Sequence, residues 1–206
     1  MKQYAVIGLG NFGYYLATHL YSKGKDVLAI DKNPARIQEI KDHVSRAVVT
    51  DATDMKALES LGIKEMDAVA ICVGTVLSNS ILIALNLNDI GVKRLLAMSI
   101  SEAHGRILKK INRGAEVFFP EKDLAFSLAE RLHNPNMLGY LPFSDDYTIA
   151  QISPPKSYIG KTLRDVDLIN KFGVQIVAVK DSGTDRMIII PKAKYLIKEN
   201  DILVIS

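Results

Sequence analysis

The sequence predicts an α/β protein with a Rossmann-type, doubly wound parallel sheet, followed by a connecting helix and a small α+β domain. Short β-branched apolar runs alternate with amphipathic stretches of helical length over residues 1–119, which is typical of βαβ units. A glycine-rich turn follows the first apolar run. From about Tyr147 the pattern changes to strands separated by short turns.

Six strands and five helices are predicted in the first domain. The strands are YAVIG, DVLAI, RAVVT, AVAIC, RLLAM and EVFF; the central ones are continuously apolar because such strands of a parallel sheet are buried on both faces. The first helix spans Phe12 to Ser22. Asn33 and Thr53 are predicted to cap the next two, and the remaining helices are expected over 79–90 and 101–114.

A leucine repeat predicts a further helix after Pro120. Leu124, Leu128 and Leu132 recur every four residues, and the helix should stop at Asn134. The stretch NPNMLGYLP is interpreted as an arm to the second domain, which assigns domains to 1–119, 120–142 and 143–206. The last of these is expected to contain the strands YTIAQI, VQIVAV, RMIII and DILVIS and one short helix at about 162–170.

Charge and composition limit the class of partner. Lys and Arg total 26 against 23 Asp and Glu, and the net charge of +3 is not gathered into a basic stripe, so nucleic acid is not expected as a partner. The sequence shows no leader-like segment and no run of about eighteen apolar residues, so we expect a cytoplasmic protein. The single cysteine, Cys72, lies in an apolar run and is expected to be buried and unreactive.

Gly8, Gly10 and Gly13 form the first candidate for a binding site. They directly follow a strand and directly precede a helix, which is the context in which this motif holds a nucleotide. Gly8 is expected to allow a tight turn, Gly10 to leave room for a pyrophosphate, and Gly13 to let the helix pack closely on the strand. The helix N-terminus should then face the phosphates with its unpaired N–H groups.

Asp31 is the second candidate, at the end of the second strand and eighteen residues after Gly13. Its carboxylate can accept hydrogen bonds from both ribose hydroxyls of an adenosine moiety, and it disfavours a 2′-phosphate. NAD(H), ATP, ADP or AMP is therefore expected rather than NADP. The alternative is a glycine turn with an incidental acidic neighbour.

Residues after the third and fourth strands should share the same edge of the sheet. Asp51, Ala52 and Thr53 would border the adenine ring, and Gly74 and Thr75 would contact ribose or phosphate. For Thr53, helix capping is an equal alternative, because a cap satisfies backbone donors with or without a nucleotide.

No catalytic constellation accompanies this edge. His19, His43, His104 and His133 are scattered over predicted helices, and each is expected to be a solvated surface residue. The C-terminal domain contains no histidine to serve as an acid or base. An enzyme is therefore not expected; an NAD(H)-dependent oxidoreductase and a soluble nucleotide or redox sensor remain the alternatives.

The order of motifs resembles one family. The segments AVIGLGNFG, VLAIDKNP, VVTDATD, FFPEKDLA, GKTLRDVDLINKFGVQIVAVK and DILVIS are similar to those of the RCK (TrkA-type) potassium-conductance regulators, in particular the KtrA-like cytosolic subunits. The resemblance implies an RCK N-terminal domain, a crossover helix and an RCK C-terminal domain. It also implies homodimers that assemble into an octameric ring on the inner face of the membrane, where exchange of ATP and ADP gates a KtrB- or TrkH-like potassium transporter.

The motifs and the resemblance together give a candidate nucleotide-binding set: Gly8, Gly10, Asn11, Phe12, Gly13, Asp31, Lys32, Asp51, Ala52, Thr53, Gly74 and Thr75. Asn11 departs from the family pattern, because many relatives have an arginine there that reaches the terminal phosphates. Asparagine supplies neither a charge nor a bidentate fork, so it cannot make the same contact with a γ-phosphate.

Two further sites are implied by the resemblance. Glu121 matches an acidic residue that helps bind a cation between paired subunits in similar rings, although the helix dipole alone also favours glutamate in a first turn. The C-terminal domain of similar proteins can bind cyclic di-AMP at its dimer interface. Leu163, Ile176 and Pro191 are candidates for an apolar rim of that site.

Overall fold

The computed structural model describes residues 2–74, 76–142 and 147–206. The chain divides into two compact units, Met1–Glu121 and Lys122–Ser206. Each unit contains one sheet. Within the described ranges, no helix is both long enough and apolar enough to cross a membrane.

Six parallel strands form the sheet of the first unit, in the order β3-β2-β1-β4-β5-β6. They are β1 (Gln3–Ile7), β2 (Asp26–Asp31), β3 (Arg46–Val49), β4 (Ala68–Ile71), β5 (Leu95–Met98) and β6 (Glu116–Phe118). The chain starts in the middle of the sheet, builds to one edge, and returns to build the other half beside β1. This is the strand order of a Rossmann fold, and it confirms the predicted fold class.

The strands in the middle of this sheet are buried on both faces. Ile7 and Ile71 point into one apolar cluster, whereas their neighbours Val6 and Ala70 point into the cluster on the other face. This explains why the sequence shows continuous apolar runs there instead of alternation. Burial of one such aliphatic side chain contributes about 2 kcal/mol, so the two clusters fix the register of the sheet.

Five helices cover the two faces of the sheet: α1 (Asn11–Ser22), α2 (Pro34–Ile40), α3 (Met55–Ser60), α4 (Leu77–Ile90) and α5 (Glu102–Ile111). The predicted cap at Asn33 is confirmed, and Ser101, where a helix was predicted to begin, caps α5. The Asn33 side chain accepts a hydrogen bond from the N–H of Ala35, and the Ser101 side chain accepts one from the N–H of His104. These bonds satisfy backbone donors that a helix leaves unpaired in its first turn.

Two details of these helices differ from the prediction. The cap of α3 is Asp54 and not Thr53, because Oδ1 of Asp54 accepts hydrogen bonds from the N–H groups of Lys56 and Ala57. Helix α5 ends at Ile111 rather than at Gly114, because Asn112 already has an extended backbone conformation.

The second unit contains most of α6 (Pro120–His133), the short helices α7 (Leu163–Val166) and α8 (Leu168–Phe172), and five strands. The strands form an antiparallel sheet in the order β10-β9-β11-β8-β7. Their bounds are β7 (Met137–Pro142), β8 (Thr148–Ile152), β9 (Ile176–Asp181), β10 (Arg186–Ile189) and β11 (Ile202–Ile205).

The second unit also differs from the prediction in two places. The segment interpreted as a connecting arm contains β7, an edge strand that pairs with β8. The single helix expected at 162–170 is two helices, because Asp167 between them has a left-handed backbone conformation with φ 51°. The boundary assigned at residue 143 lies outside the described residues.

A buried polar network joins two turns of this unit. The hydroxyl of Tyr195 lies 2.9 Å from Oδ2 of Asp201 and 3.2 Å from Oδ2 of Asp181, and both carboxylates are buried. Lys198 Nζ donates a 2.7 Å hydrogen bond to Asp181, which lowers the pKa of that carboxyl to about 2. Burial raises the pKa of the Tyr195 hydroxyl. The network fastens the turn after β9 to the turn before β11.

Candidate nucleotide-binding site

The glycine-rich turn joins the carboxyl end of β1 to α1. Gly8 has φ +91°, a left-handed conformation that favours glycine, and its N–H donates a 2.8 Å hydrogen bond to the carbonyl of Ile30. A Cβ at Gly13 would lie 1.9 Å from the carbonyl oxygen of Gly8. Helix α1 can therefore approach β1 this closely only with glycine at position 13, which confirms the packing role predicted for that residue.

Gly10 has different surroundings from the other two glycines. It precedes α1 with φ −64°, and a Cβ at this position would meet no heavy atom of the described residues within 4 Å. The open side of Gly10 is the place where a diphosphate can approach the N–H groups in the first turn of α1, which a helix leaves without internal partners. Phosphate binding at this position stays a prediction.

Asp31 ends β2 with only 6% of its surface exposed. Its Oδ2 accepts a 2.7 Å hydrogen bond from the N–H of Leu9 and lies 3.2 Å from Nη1 of Arg36. Its Oδ1 accepts a 2.9 Å hydrogen bond from the N–H of Asn33. The carboxylate therefore fastens the glycine turn to the start of α2, and its predicted role as a ribose acceptor comes in addition to this structural one.

The turn after β3 carries the residues expected to border adenine. Asp51 Oδ1 accepts hydrogen bonds from the N–H of Thr53 at 2.9 Å and from its hydroxyl at 2.7 Å. These bonds lower the pKa of Asp51, and the positive charge of Lys32 lowers it further. The Thr53 carbonyl accepts a 2.9 Å hydrogen bond from the Asn86 side chain, while Ala52 is buried. These hydrogen bonds hold the turn in its observed conformation.

The remaining candidates are distributed around the same end of the first unit. Asn11 is exposed at the first position of α1, and the next residue, Phe12, packs on Phe118 with ring centroids 5.3 Å apart. Gly74 follows β4, and a Cβ there would lie 2.6 Å from Cε of Met98. Thr75 lies outside the described residues.

The parallel sheet brings these groups to one edge. Strands β3, β2, β1 and β4 all end there, so the Asp51 turn, Asp31, the glycine turn and Gly74 follow one another along it. The N–H of Thr50 donates a 3.0 Å hydrogen bond to the Asp31 carbonyl, which joins the first and second of these groups. The strand order reverses between β1 and β4, and ligands of open α/β sheets bind at such a switch point.

Arg36 was missing from the predicted set. It lies in the first turn of α2, and its guanidinium contacts the carboxylate expected to bind ribose. The sequence offered one indication of this contact: Arg36 follows Asp31 by five residues, in the first turn of a helix that begins at the same edge of the sheet.

Glu121 is not joined to this site by any observed contact. It lies in the first turn of α6 with an exposed side chain. Among the residues that the structure describes, no group of three or more His, Cys, Asp or Glu could hold a metal ion within one chain. A cation role for Glu121 stays a prediction that involves a second subunit.

Cys72 and His104 are both buried in this unit, away from solvent. Cys72 is buried as predicted, and burial raises the pKa of its thiol to about 12. His104 is only 1% exposed, so its predicted surface position is wrong. Within the described part of the chain, neither of its ring nitrogens has a hydrogen-bond partner, and burial lowers the pKa of its imidazole.

Comparison with known sequences shows relatives that cover nearly the whole chain. A TrkA-N domain model matches residues 4–120 and a TrkA-C domain model matches residues 147–206. The chain is 34% identical to Ktr system potassium uptake protein C of Bacillus subtilis (strain 168), over 99% of this chain and 91% of that protein. It is 32% identical to Ktr system potassium uptake protein A of the same organism, over 99% of this chain and 90% of that protein.

Solved structures share the fold. The GsuK channel bound to NAD matches 99% of this chain with a TM-score of 0.66 and 17% identity, and GsuK bound to ADP matches 57% of it with a TM-score of 0.50 and 15% identity. The present chain spans only 37% and 31% of those two longer chains. At this level of identity the likeness shows the architecture alone.

Proposed function

The chain belongs to the family defined by the TrkA-N and TrkA-C domains, and from this premise we propose that it is the nucleotide-responsive regulatory subunit of a Ktr- or Trk-type potassium uptake system. Its similarity to two Ktr system proteins extends over nearly their full length. The observation that carries the nucleotide part of the proposal is the juxtaposition of the open Gly10 turn with the buried Asp31 carboxylate at one sheet edge.

The ligand that fits this edge is an adenosine nucleotide with a diphosphate. The N-terminus of α1 offers N–H donors to phosphate, and Asp31 offers a carboxylate to ribose. ATP and ADP are our first choice and NAD(H) the alternative, and the GsuK structures bound to NAD and to ADP support both classes. Asn11 cannot supply the charge that an arginine would bring to a γ-phosphate, so we expect ATP and ADP to bind with similar strength.

The quaternary part of the proposal depends on α6. Leu124 and Leu132 on this helix are 71% and 76% exposed, and Phe126 and Leu128 are exposed as well. Large exposed apolar patches mark interaction sites. We therefore assign α6 to contacts between two copies, which would form homodimers and then an octameric ring. A cation between paired Glu121 side chains and cyclic di-AMP at paired C-terminal domains belong to the same proposal.

The proposed output is a change in a membrane partner. The ring would lie at the inner face of the membrane against a KtrB- or TrkH-like transporter. A nucleotide can shift the transporter only if it binds one ring conformation more tightly than another. ATP and ADP would thus act through different preferred angles between paired subunits, even if their overall affinities are close.

Three measurements test this function. Equilibrium dialysis of the pure protein should show that ADP, ATP or NADH is retained, and light scattering should give a mass near eight times 22.7 kDa. Potassium flux into vesicles that contain the partner transporter should depend on the added protein and nucleotide. Retention of no adenosine compound would remove the nucleotide part, and a monomer at all concentrations would remove the ring.

An enzyme is not part of the proposal. The close relatives are named as components of potassium uptake systems, and none of the residues assigned to the nucleotide edge is a histidine. Sustained oxidation of NADH with a small carbonyl compound would contradict this position.

A further inference from the structure

We propose that Arg36 determines how strongly the site selects ribose: its guanidinium occupies one acceptor position of Asp31 and is displaced when both ribose hydroxyls bind. The inference rests on the proposed nucleotide function and concerns the regulation of that same site. Its ligand class is an adenosine nucleotide with free 2′- and 3′-hydroxyls.

The Asp31 carboxylate has too few free acceptor positions to bind both ribose hydroxyls. An ionised carboxylate offers about four lone-pair positions, two on each oxygen. Oδ2 of Asp31 already accepts from the N–H of Leu9 and from Arg36, and Oδ1 accepts from the N–H of Asn33. Counting donors from the residues that the structure describes, one position remains on Oδ1. A ribose that donates through both hydroxyls needs two positions, so one present donor must leave.

Of the three donors to Asp31, Arg36 is the one that can leave most easily. The bonds from Leu9 and Asn33 come from the backbone of the glycine turn and of the turn before α2, and they measure 2.7 and 2.9 Å. The contact with Arg36 is longer, at 3.2 Å, and comes from a side chain that is 47% exposed. A long exposed side chain can rotate into water without moving the backbone, and its ion pair is weak for that reason.

The consequence is a site whose preference for ribose is reduced by its own counter-ion. A nucleotide with both hydroxyls must displace Arg36, whereas a nucleotide without them leaves the ion pair intact. Removing the guanidinium should therefore favour ADP over 2′,3′-dideoxy-ADP. The ratio of the two affinities isolates this effect, because both ligands carry the same diphosphate and respond equally to a general change in charge.

The test is titration calorimetry of ADP and 2′,3′-dideoxy-ADP with the full chain, with Arg36→Gln, and with Arg113→Gln. Arg113 is exposed and precedes β6 at the opposite edge of the sheet, so its variant matches the change in net charge. We expect the ratio of ADP to dideoxy-ADP affinity to rise about threefold in Arg36→Gln, the scale of a half-exposed ion pair. Arg113→Gln should leave the ratio unchanged.

Two results for the ratio of affinities overturn the inference. A ratio that stays constant in Arg36→Gln means that ribose does not compete with the guanidinium. A ratio that falls means that Arg36 holds Asp31 in place for ribose. Both results, with ADP still bound by the unaltered chain, leave the proposed function standing. Binding of ADP by neither the unaltered chain nor Arg36→Gln overturns the function as well, whereas binding by Arg36→Gln alone supports the inference.

Discussion

The backbone N–H of Leu9 donates a 2.7 Å hydrogen bond to the buried carboxylate of Asp31. This bond ties the turn that should hold phosphate to the residue that should hold ribose. Because the donor belongs to the glycine turn and the acceptor to β2, a change at Asp31 must act on both parts of the site.

The first prediction concerns this bond. Asp31→Ala removes the acceptor of two backbone N–H groups and of Arg36, so we expect the free energy of unfolding to fall by about 1–3 kcal/mol. Affinity for ADP, ATP and NADH should fall at least about tenfold, by a similar factor for each, because all three lose the same ribose hydrogen bonds. Urea unfolding and calorimetry provide the two measurements. Asp42→Ala, at an exposed residue, is the control, and undiminished ADP affinity in Asp31→Ala would refute the ribose role.

The second prediction separates two glycines of the same turn. Gly10→Ala should keep the fold within about 1 kcal/mol, because its Cβ enters open space, yet it should weaken nucleotide binding at least about tenfold by crowding the diphosphate. Gly13→Ala should instead unfold or strongly destabilise the first unit, because its Cβ would lie 1.9 Å from a carbonyl oxygen. Circular dichroism and calorimetry distinguish the two. Normal ADP affinity in folded Gly10→Ala would count against the predicted cradle.

The third prediction concerns the pH dependence of stability. Burial lowers the pKa of His104 below its ordinary value of 6.5, so the unfolded chain takes up a proton first as the pH falls. Acid therefore favours unfolding, and the stability contributed by the neutral imidazole is lost below that ordinary pKa. His104→Leu should have a flatter pH dependence of the unfolding free energy between about pH 7.5 and 5.5. Exposed His43→Leu is the control, and identical pH slopes for His104→Leu and the unaltered chain would exclude this effect.

The fourth prediction addresses the second unit. Tyr195→Phe removes the hydroxyl that lies between Asp181 and Asp201, and we expect a loss of about 1–3 kcal/mol in the unfolding free energy. Tyr147→Phe, at an exposed tyrosine, should cost nothing measurable. Both values come from urea denaturation, and equal stability of the two variants would show that the hydroxyl is dispensable.

The sequence was sufficient to predict those elements whose local residue pattern follows directly from their place in the fold. Two-sided burial of the central strands made their apolar runs continuous, and the positions of Gly8 and Gly13 between strand and helix predicted the tight turn that the structure has. Asp31 was found because the end of β2 reaches the same edge as the end of β1.

The sequence was insufficient where two adjacent residues suit the same role, or where packing against distant parts of the chain decides. Thr53 and Asp54 are both good cap residues; in the structure the Thr53 hydroxyl donates to Asp51, and Asp54 caps α3. His104 looks like a surface residue on a charged helix, and its burial arises from tertiary packing. The segment that forms β7 contains glycine and ends in proline, which resembles a linker, but an edge strand tolerates both.

Cys72 has a practical consequence for following movements between subunits. It is the only cysteine in the chain, and its buried thiol should remain protonated and shielded from maleimide reagents at neutral pH. The variant Asp42→Cys, at an exposed residue outside α6, would then carry the single site that accepts a fluorescent or paramagnetic label. Distances between labelled copies could be recorded with each nucleotide in turn, without first replacing a native residue.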